Sequence, residues 1–304
     1  MSVAEIEVAV ELEAPTGGLW RDAWGRLLRN KAAIAGFVIV IGLILMALLA
    51  PLIAPYSPTE NDLLAIVANH GIPPGPSWHH LMGLDLQGRD ELSRIIYGAR
   101  TSLIVGLVAV ACGLSFGLLL GAIAGYAGGI TDTLIMRCMD VMLAIPGFLL
   151  AIGIVAMLGP GLWQIVIAVG VVNIPIFARL LRGSVLSQRE SDFVLAARSV
   201  GVRRRAIMFS HILPNAISPV IVQATLAMAT AIIDVAGLGF LGLGTQDPRT
   251  PEWGTMLTDA NRFVELAPYL MLFPGIVIVI SVLGFNLIGD GLREALDPKL
   301  RGRT

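Results

Sequence analysis

VMLAIPGFLLAIGIVAMLGPGLWQIVIAVGVVNIPIFA, residues 141–178, runs for 38 positions without an Asp, Glu, Lys or Arg. As one helix rising about 1.5 Å per residue it would be about 57 Å long, nearly twice the ~30 Å hydrocarbon core of a bilayer. The stretch therefore reads as two membrane spans folded back at Gly159-Pro160-Gly161. The whole chain has the same character. Of its 304 residues 56% are hydrophobic and 14% charged, and mean hydropathy is +0.80. Soluble domains carry about 25% charged residues, so a soluble globular protein is excluded and an all-α polytopic membrane protein is expected.

Four further apolar stretches flank this hairpin, and the reading predicts six transmembrane helices. The spans fall at about Ala32–Ala54, Thr101–Ala127, Asp132–Leu158, Trp163–Leu181, Ala216–Leu241 and Pro268–Gly289. Residues 1–31 form a tail and an amphipathic interfacial helix, with Leu19, Trp20, Ala23, Trp24, Leu27 and Leu28 apolar and Arg21, Asp22, Arg26 and Arg29 between them. Residues 32–54 are transmembrane helix 1, and 55–100 a polar extracytoplasmic insertion ending in a short amphipathic helix, GRDELSRIIYGAR. Residues 101–289 form the core, with a charged segment at 191–214 and an external loop at 242–267; 290–304 is a basic tail. Positive charge orients the spans. The side holding both termini and the 191–214 segment carries 16 Lys and Arg, the other side 5. The positive-inside bias predicts that both termini are cytoplasmic. The polar start of the chain lacks the short basic region of a signal peptide, so the first span is expected to be retained.

Inside the second span Gly113, Gly117, Gly121 and Gly125 repeat every four residues. That spacing places them on one stripe, where a neighbouring helix can approach closely. Arg137 and Asp140, three apart, are candidates for an intramembrane ion pair or for residues of a pathway, as is Asp234 in the fifth span. Few other ionisable groups lie at membrane depth, which argues against a proton relay.

Some chemistries have no residues to carry them. The two lysines, Lys31 and Lys299, follow Asn30 and Pro298, so the Gly-Lys pair of a phosphate-cradling loop is absent. Any work driven by ATP must come from a partner. Cys112 and Cys138 lie in apolar spans and imply neither a disulfide framework nor a metal cluster. His70, His79 and His80 with Asp62 or Asp85 match no defined metal spacing. No metal site and no catalytic residue are expected.

The charged segment is SDFVLAARSVGVRRRAIMFSHILPN, Ser191 to Asn215. Ser191 or Asp192 can cap a helix. Phe193, Ala196, Ala197 and Val200 give that helix an apolar face with small side chains. Gly201 permits a sharp reversal, and Arg203, Arg204 and Arg205 open a second arm that can meet acidic groups or anionic headgroups. Pro214 is placed to start the fifth span. The reading predicts a knob of two short helices meeting at a glycine.

This pattern is similar to the EAA---G---------I-LP signature of ABC-importer permeases. Ala196, Ala197, Gly201, Leu213 and Pro214 match; Leu195 stands at the signature's Glu and His211 at its Ile. LLRNKAAIAGFVIV, APLIAPYSP, GLDLQGRDELSRIIYGARTSL, MRCMDVMLAIPGFLLAI, GFLGLGTQDPRTPEWGTML and FNLIGDGLREALDPKL also resemble the C-type permease subunit of dipeptide, oligopeptide, glutathione and nickel importers. The resemblance implies the type I importer permease fold, a homologous B-type permease partner, two cytoplasmic ABC ATPases and an extracytoplasmic substrate-binding protein. It implies ATP and Mg on those ATPases, no cofactor on this chain and no nucleic acid. The ATPase-coupling residues it implies are Asp192, Leu195, Ala196, Ala197, Arg198, Gly201, Arg203, Arg204, Arg205, His211 and Pro214. Without the usual Glu, contact would rest on shape and on the arginines. The expectation is a permease for dipeptides or short oligopeptides, with glutathione or nickel as the alternative substrate, in the inner membrane of a prokaryote. A secondary transporter working alone and a membrane enzyme are the competing classes; no nucleophile–base pair or metal motif supports the enzyme.

Overall fold

A computed structural model describes residues 24–296. The tail before Trp24, with Leu19, Trp20, Arg21, Asp22 and Ala23 of the expected interfacial helix, lies outside the described residues, as does the tail beyond Leu296. Asn30 begins the first span by accepting the Ala33 amide at 3.0 Å, and α1 follows over Lys31–Leu48. The preceding turn is not a simple interfacial helix. Trp24 is exposed, but Leu27 is buried with Ala33 and Ala295, and Asn30 Nδ2 donates to Glu294 at 2.6 Å. The two ends of the described chain are therefore packed together at one end of the bundle.

Asp90 caps the next long helix, accepting the Ser93 amide at 2.8 Å and its hydroxyl at 2.7 Å. That helix, α2, runs over Glu91–Ala127 without interruption for 37 residues. The sequence divides it into an amphipathic helix and a span starting at Thr101; the structure joins them. The polar first turns do not break the helix because they are buried in protein. Ile95, Ile96, Gly98 and Ala99 are enclosed, and so are Glu91 and Arg94.

The expected third span is broken. α3 covers Gly129–Ala144 and α4 Gly147–Leu158, and they meet at 92°. Pro146 is the cause. The residue before a proline is pushed out of the helical region, and Ile145 is extended at φ −93°, ψ 132°. After the hairpin turn, α5 spans Leu162–Arg189. A short helix, α6 at Asp192–Ser199, leads into the charged elbow, and α7 then spans Ser218–Leu238. α8 at Trp253–Asn261 lies in the loop expected to be external, and α9 covers Tyr269–Leu296. Five described helices are long and apolar enough to cross a membrane, or six counting α3 and α4 as one bent span.

The central pair is α2 and α5, which run parallel. Gly113 faces Gly170 and Asn173, Gly117 faces Phe177, Gly121 faces Ala178 and Gly125 faces Val185. A β-carbon on Gly117 would stand 2.5 Å from that of Phe177, and one on Gly121 2.5 Å from the Ala178 carbonyl oxygen. No side chain fits at either place. Each glycine here trades helix propensity for backbone contact.

α8 closes the end of the bundle away from the termini. Glu252, fully buried, accepts the Gly254 amide at 2.7 Å and the Thr255 amide at 2.9 Å, so it serves as the helix cap. Trp253 is also fully buried, and its indole donates to the Ile95 carbonyl at 3.1 Å. Gly98 makes room for the ring; a β-carbon there would lie 3.0 Å from it. Nearby, Asp85 holds Arg89 at 2.6 Å and Arg94 at 3.2 Å, and both arginines donate to the Pro248 carbonyl. The loops at 62–90 and 242–267 are thereby fastened to each other and to the start of α2. His80 pairs with Asp90 at 3.0 Å and lies against Tyr56.

Two outcomes are expected. Gly121→Val should cost about 1–3 kcal/mol through overpacking and lower the melting temperature in detergent. Gly153→Ala, with nothing within 4 Å of the added carbon, should not. Burial pushes the Glu252 carboxyl above the ordinary carboxylate range, opposed by the Gly254 and Thr255 amides. A carboxyl raised on folding stabilises most below its unfolded value and loses that contribution as pH rises through the folded one. Hydrogen exchange in α8 should therefore speed up, as pH rises above the ordinary carboxylate range, by more than intrinsic rates explain. Glu252→Gln should flatten that excess.

Candidate functional site: a projecting elbow and a polar wall

Ser191 occupies the cap position of α6, but its hydroxyl donates to Gln188 O at 2.6 Å and leaves the helix without a side-chain cap. The eight-residue helix is amphipathic towards its own protein. Val194 and Ala197 are buried, packed into the main core with Val185, Ile207, Met208 and Ile212. Phe193, Leu195, Ala196 and Val200 are exposed, as are Asp192 and Arg198. Ala197 was expected on the partner-facing surface; the structure turns it inward, because Val194 and Ala197 are the i,i+3 pair that anchors the helix. Leu195, at the position where a carboxylate was expected, lies on the outer face.

Gly201 makes the reversal. Its φ is +79°, its amide donates to Arg198 O at 3.0 Å, and the Val202 amide donates to Ala197 O at 3.0 Å. A left-handed residue after a helix is the usual place for glycine. Nothing lies within 4 Å of an added β-carbon, so backbone conformation, not space, makes the demand here. Arg203, Arg204 and Arg205 follow, all exposed and absent from the ion pairs among the described residues.

The second arm is not one regular helix. A turn at Arg204–Ala206 passes into a π-helical stretch, Ile207–Ile212, and then a short turn at Leu213–Ala216. Ile207, Met208 and Ile212 are buried while Phe209 is 67% exposed. His211 is half-buried, and its carbonyl accepts Asn215 Nδ2 at 2.7 Å. Pro214 lies in this connecting turn. Pro219, not Pro214, stands in the first turn of α7.

The charges at membrane depth pair differently from their spacing. Arg137 and Asp140 are 3.9 Å apart and both exposed, whereas Arg179 from α5 reaches Asp140 at 2.7 Å. An i,i+3 pair on one helix splays outward; the neighbouring helix offers the straighter approach. One turn on, Arg182 grips Asp132 with two nitrogens, one at 2.6 Å. The sequence reading ends the fourth span at Leu181, whereas α5 continues to Arg189 and carries both Arg179 and Arg182. The signal available was their spacing of three, which sets both on one face of a continuing helix. Asp234, half-buried in α7, is in none of the ion pairs among the described residues. Beside Arg179 the cleft between α5 and α7 forms an open hollow of about 760 Å³. Ser184, Ser187, Gln188, Asn215 and Gln223 supply its polar groups.

The described chain is thus a bundle of apolar spans, one of them bent, with an elbow projecting from its end. The methionine ABC transporter MetNI in an inward-facing conformation superimposes with a TM-score of 0.54 over 67% of this chain and 96% of that one, at 19% identity. An amino acid ABC transporter with histidines gives 0.53 over 78% and 100%, at 15% identity. At this identity the likeness shows the fold, that of an ABC-importer permease. The chain belongs to the family described as "Binding-protein-dependent transport system inner membrane component", whose model matches residues 117–302. The model "N-terminal TM domain of oligopeptide transport permease C" matches residues 18–74. The dipeptide transport system permease protein DppC of Alkalihalophilus pseudofirmus is 51% identical, covering 93% of this chain and 90% of its own. The di/tripeptide transport system permease protein DppC of Pseudomonas aeruginosa is 46% identical over 92% of each. The glutathione transport system permease protein GsiD of Pectobacterium atrosepticum is 44% identical over 93% and 92%.

Gly201 supplies a test of the elbow. Gly201→Ala is expected to destabilise it by about 1 kcal/mol, and Gly201→Asn by less, since Asn accepts the left-handed region more readily. Limited proteolysis at the arginine run should rise in the order wild type, Asn, Ala.

Proposed function

We propose that this chain is one of two permease subunits of an ATP-driven importer of dipeptides and short oligopeptides. Both termini and the elbow face the cytoplasm of a prokaryote, and the protein lies in its cytoplasmic membrane. A homologous B-type permease completes the pathway, two ABC ATPases dock on the cytoplasmic side, and an extracytoplasmic binding protein delivers the peptide. The single observation that carries the substrate class is the relatedness to permeases named for di- and tripeptides over nearly the whole chain.

The permease performs no bond chemistry and binds no cofactor; ATP and Mg are held by the ATPases. When these close on ATP, they push on the exposed face of the elbow. Val194 and Ala197 tie that face to the core beside α5, so the push is passed to the spans. The contact is made by Phe193, Leu195, Ala196 and Val200, an apolar patch, with Arg198, Arg203, Arg204 and Arg205 around it. Acidic groups on the ATPase suit that rim.

Glutathione is the second reading, favoured by the GsiD relatives at 44% and 46% identity. Competition for uptake decides between them. In a strain lacking this gene and complemented with it, unlabelled dipeptides should abolish uptake of a labelled dipeptide, while glutathione and Ni²⁺ should not. Efficient competition by glutathione alone would transfer the assignment. Ala196→Arg, on the exposed face, should abolish uptake and ATPase co-purification with the protein still in the membrane. Unchanged uptake in that variant would remove the elbow from the coupling path.

A further inference from the structure

We infer that Arg179, held by Asp140 on the polar wall, is a relay point that receives the carboxylate terminus of a peptide as it passes through the membrane. The inference rests on the peptide-importer reading above. Arg179 lies ten residues before the end of α5, about 15 Å along the helix axis. The apolar stretch of the span ends at Leu181, so this charge sits at its polar margin, where it can meet protein or water. Its side chain is 54% exposed, and that of Asp140 is 47% exposed. Arg179 itself lines the hollow, and its partner Asp140 is half-exposed beside it rather than sealed in the fold.

Comparison with the next turn sharpens the point. Arg182 and Asp132 form a two-pronged pair, with side chains 30% and 16% exposed. That pair is a closed fastening between α3 and α5. Arg179 makes one contact with Asp140 at 2.7 Å through a single nitrogen, so the rest of its guanidinium fork remains free. Arg137, 79% exposed, stands 3.9 Å from the same carboxylate. Two cations share one anion, and the cluster carries one surplus positive charge. It therefore favours an incoming carboxylate, which a planar guanidinium can bind with two parallel hydrogen bonds.

The hollow suits such a visitor. Its volume of about 760 Å³ falls within the roughly 300–1,000 Å³ of small-molecule sites. Ser184, Ser187 and Gln188 on α5 face Asn215 and Gln223 across it. These groups are uncharged and can exchange hydrogen bonds with a peptide backbone regardless of its side chains. Asp140 remains beside the arginine and can take the peptide's ammonium when the carboxylate displaces it. A half-exposed ion pair is weak, so exchange carries a small barrier and the substrate is released again.

The test uses the complete importer in proteoliposomes, with both permeases, the ATPases and the binding protein. Uptake of a labelled dipeptide is compared with that of its C-terminal amide. Arg179→Gln should lower the maximal rate for the free acid about tenfold, the loss of one hydrogen bond to a charged group. The rate for the amide should change little, so the acid-to-amide ratio falls. KM and stimulation of ATPase activity by loaded binding protein should stay within about twofold of wild type, well short of the tenfold effect of such a bond. The doubly swapped Arg179→Asp, Asp140→Arg protein keeps an ion pair in place and should remain slow for the acid. Full recovery in the swap would make the pair structural and overturn the inference, as would an unchanged acid-to-amide ratio in Arg179→Gln. Loss of the second permease from purified Arg179→Gln complexes would do the same, assigning Arg179 to the subunit contact. If the wild-type importer moves no dipeptide at all, the peptide reading itself fails, and this inference with it.

Discussion

The contact between α2 and α5 sets the rest of the molecule. Without side chains at every fourth position of α2 from Gly113 to Gly125, the two backbones touch, and α5 has little freedom to slide or rotate against it. Every candidate functional element is attached to this pair. The elbow hangs from the C-terminal end of α5 and packs against it through Val194 and Ala197. The polar wall lies along another face of α5, and the cap helix is pinned to the first turns of α2 through Trp253. In a membrane, where lipid offers apolar side chains no less favourable a neighbour than protein does, such backbone contact is a main source of specificity between helices.

The sequence disclosed features that depend on local rules. Charge-free length gave the spans, glycine spacing gave a stripe, and Gly201 gave a reversal at positive φ. Features that depend on burial in three dimensions were harder to see. Glu91 and Arg94 look like solvent residues, yet they lie inside a helix that continues unbroken into the apolar span. Glu252 and Trp253 sit in a loop rich in polar residues and still form a buried anchor. The 92° bend at Pro146 was signalled by the proline itself. An unbroken apolar run masked it, because hydropathy reports solvent preference and is blind to direction.

In the proposed coupling role, the elbow would make its contact without the usual carboxylate at position 195. On its outer face Leu195 stands with Phe193 and Val200, so the surface offered is apolar at its centre, with Asp192, Arg198 and Arg203–Arg205 at its edge. A desolvated centre with a charged rim is the usual composition of protein interfaces. The cost of burying an unpaired carboxylate is avoided. In that role partner choice would pass to the arginines, whose attraction acts at longer range. The irregular second arm fits the same scheme: its π-helical stretch places Ile207, Met208 and Ile212 in the core while leaving Phe209 outside.

The unbroken length of α2 has a mechanical consequence. At 37 residues it is a rod of about 55 Å, reaching from beneath the cap to the level where α5 runs out into the elbow. A rod of that length turns a small angle into a large displacement: a tilt of about 5° about one end carries the other end through about 5 Å. Glu252 and Trp253 grip the rod at one end, and Arg189 donates to the Gly125 carbonyl near the other. Leverage is thus built into the spacing of two fastenings on one stiff beam, and the beam needs no hinge of its own to convey motion from one face of the bundle to the other.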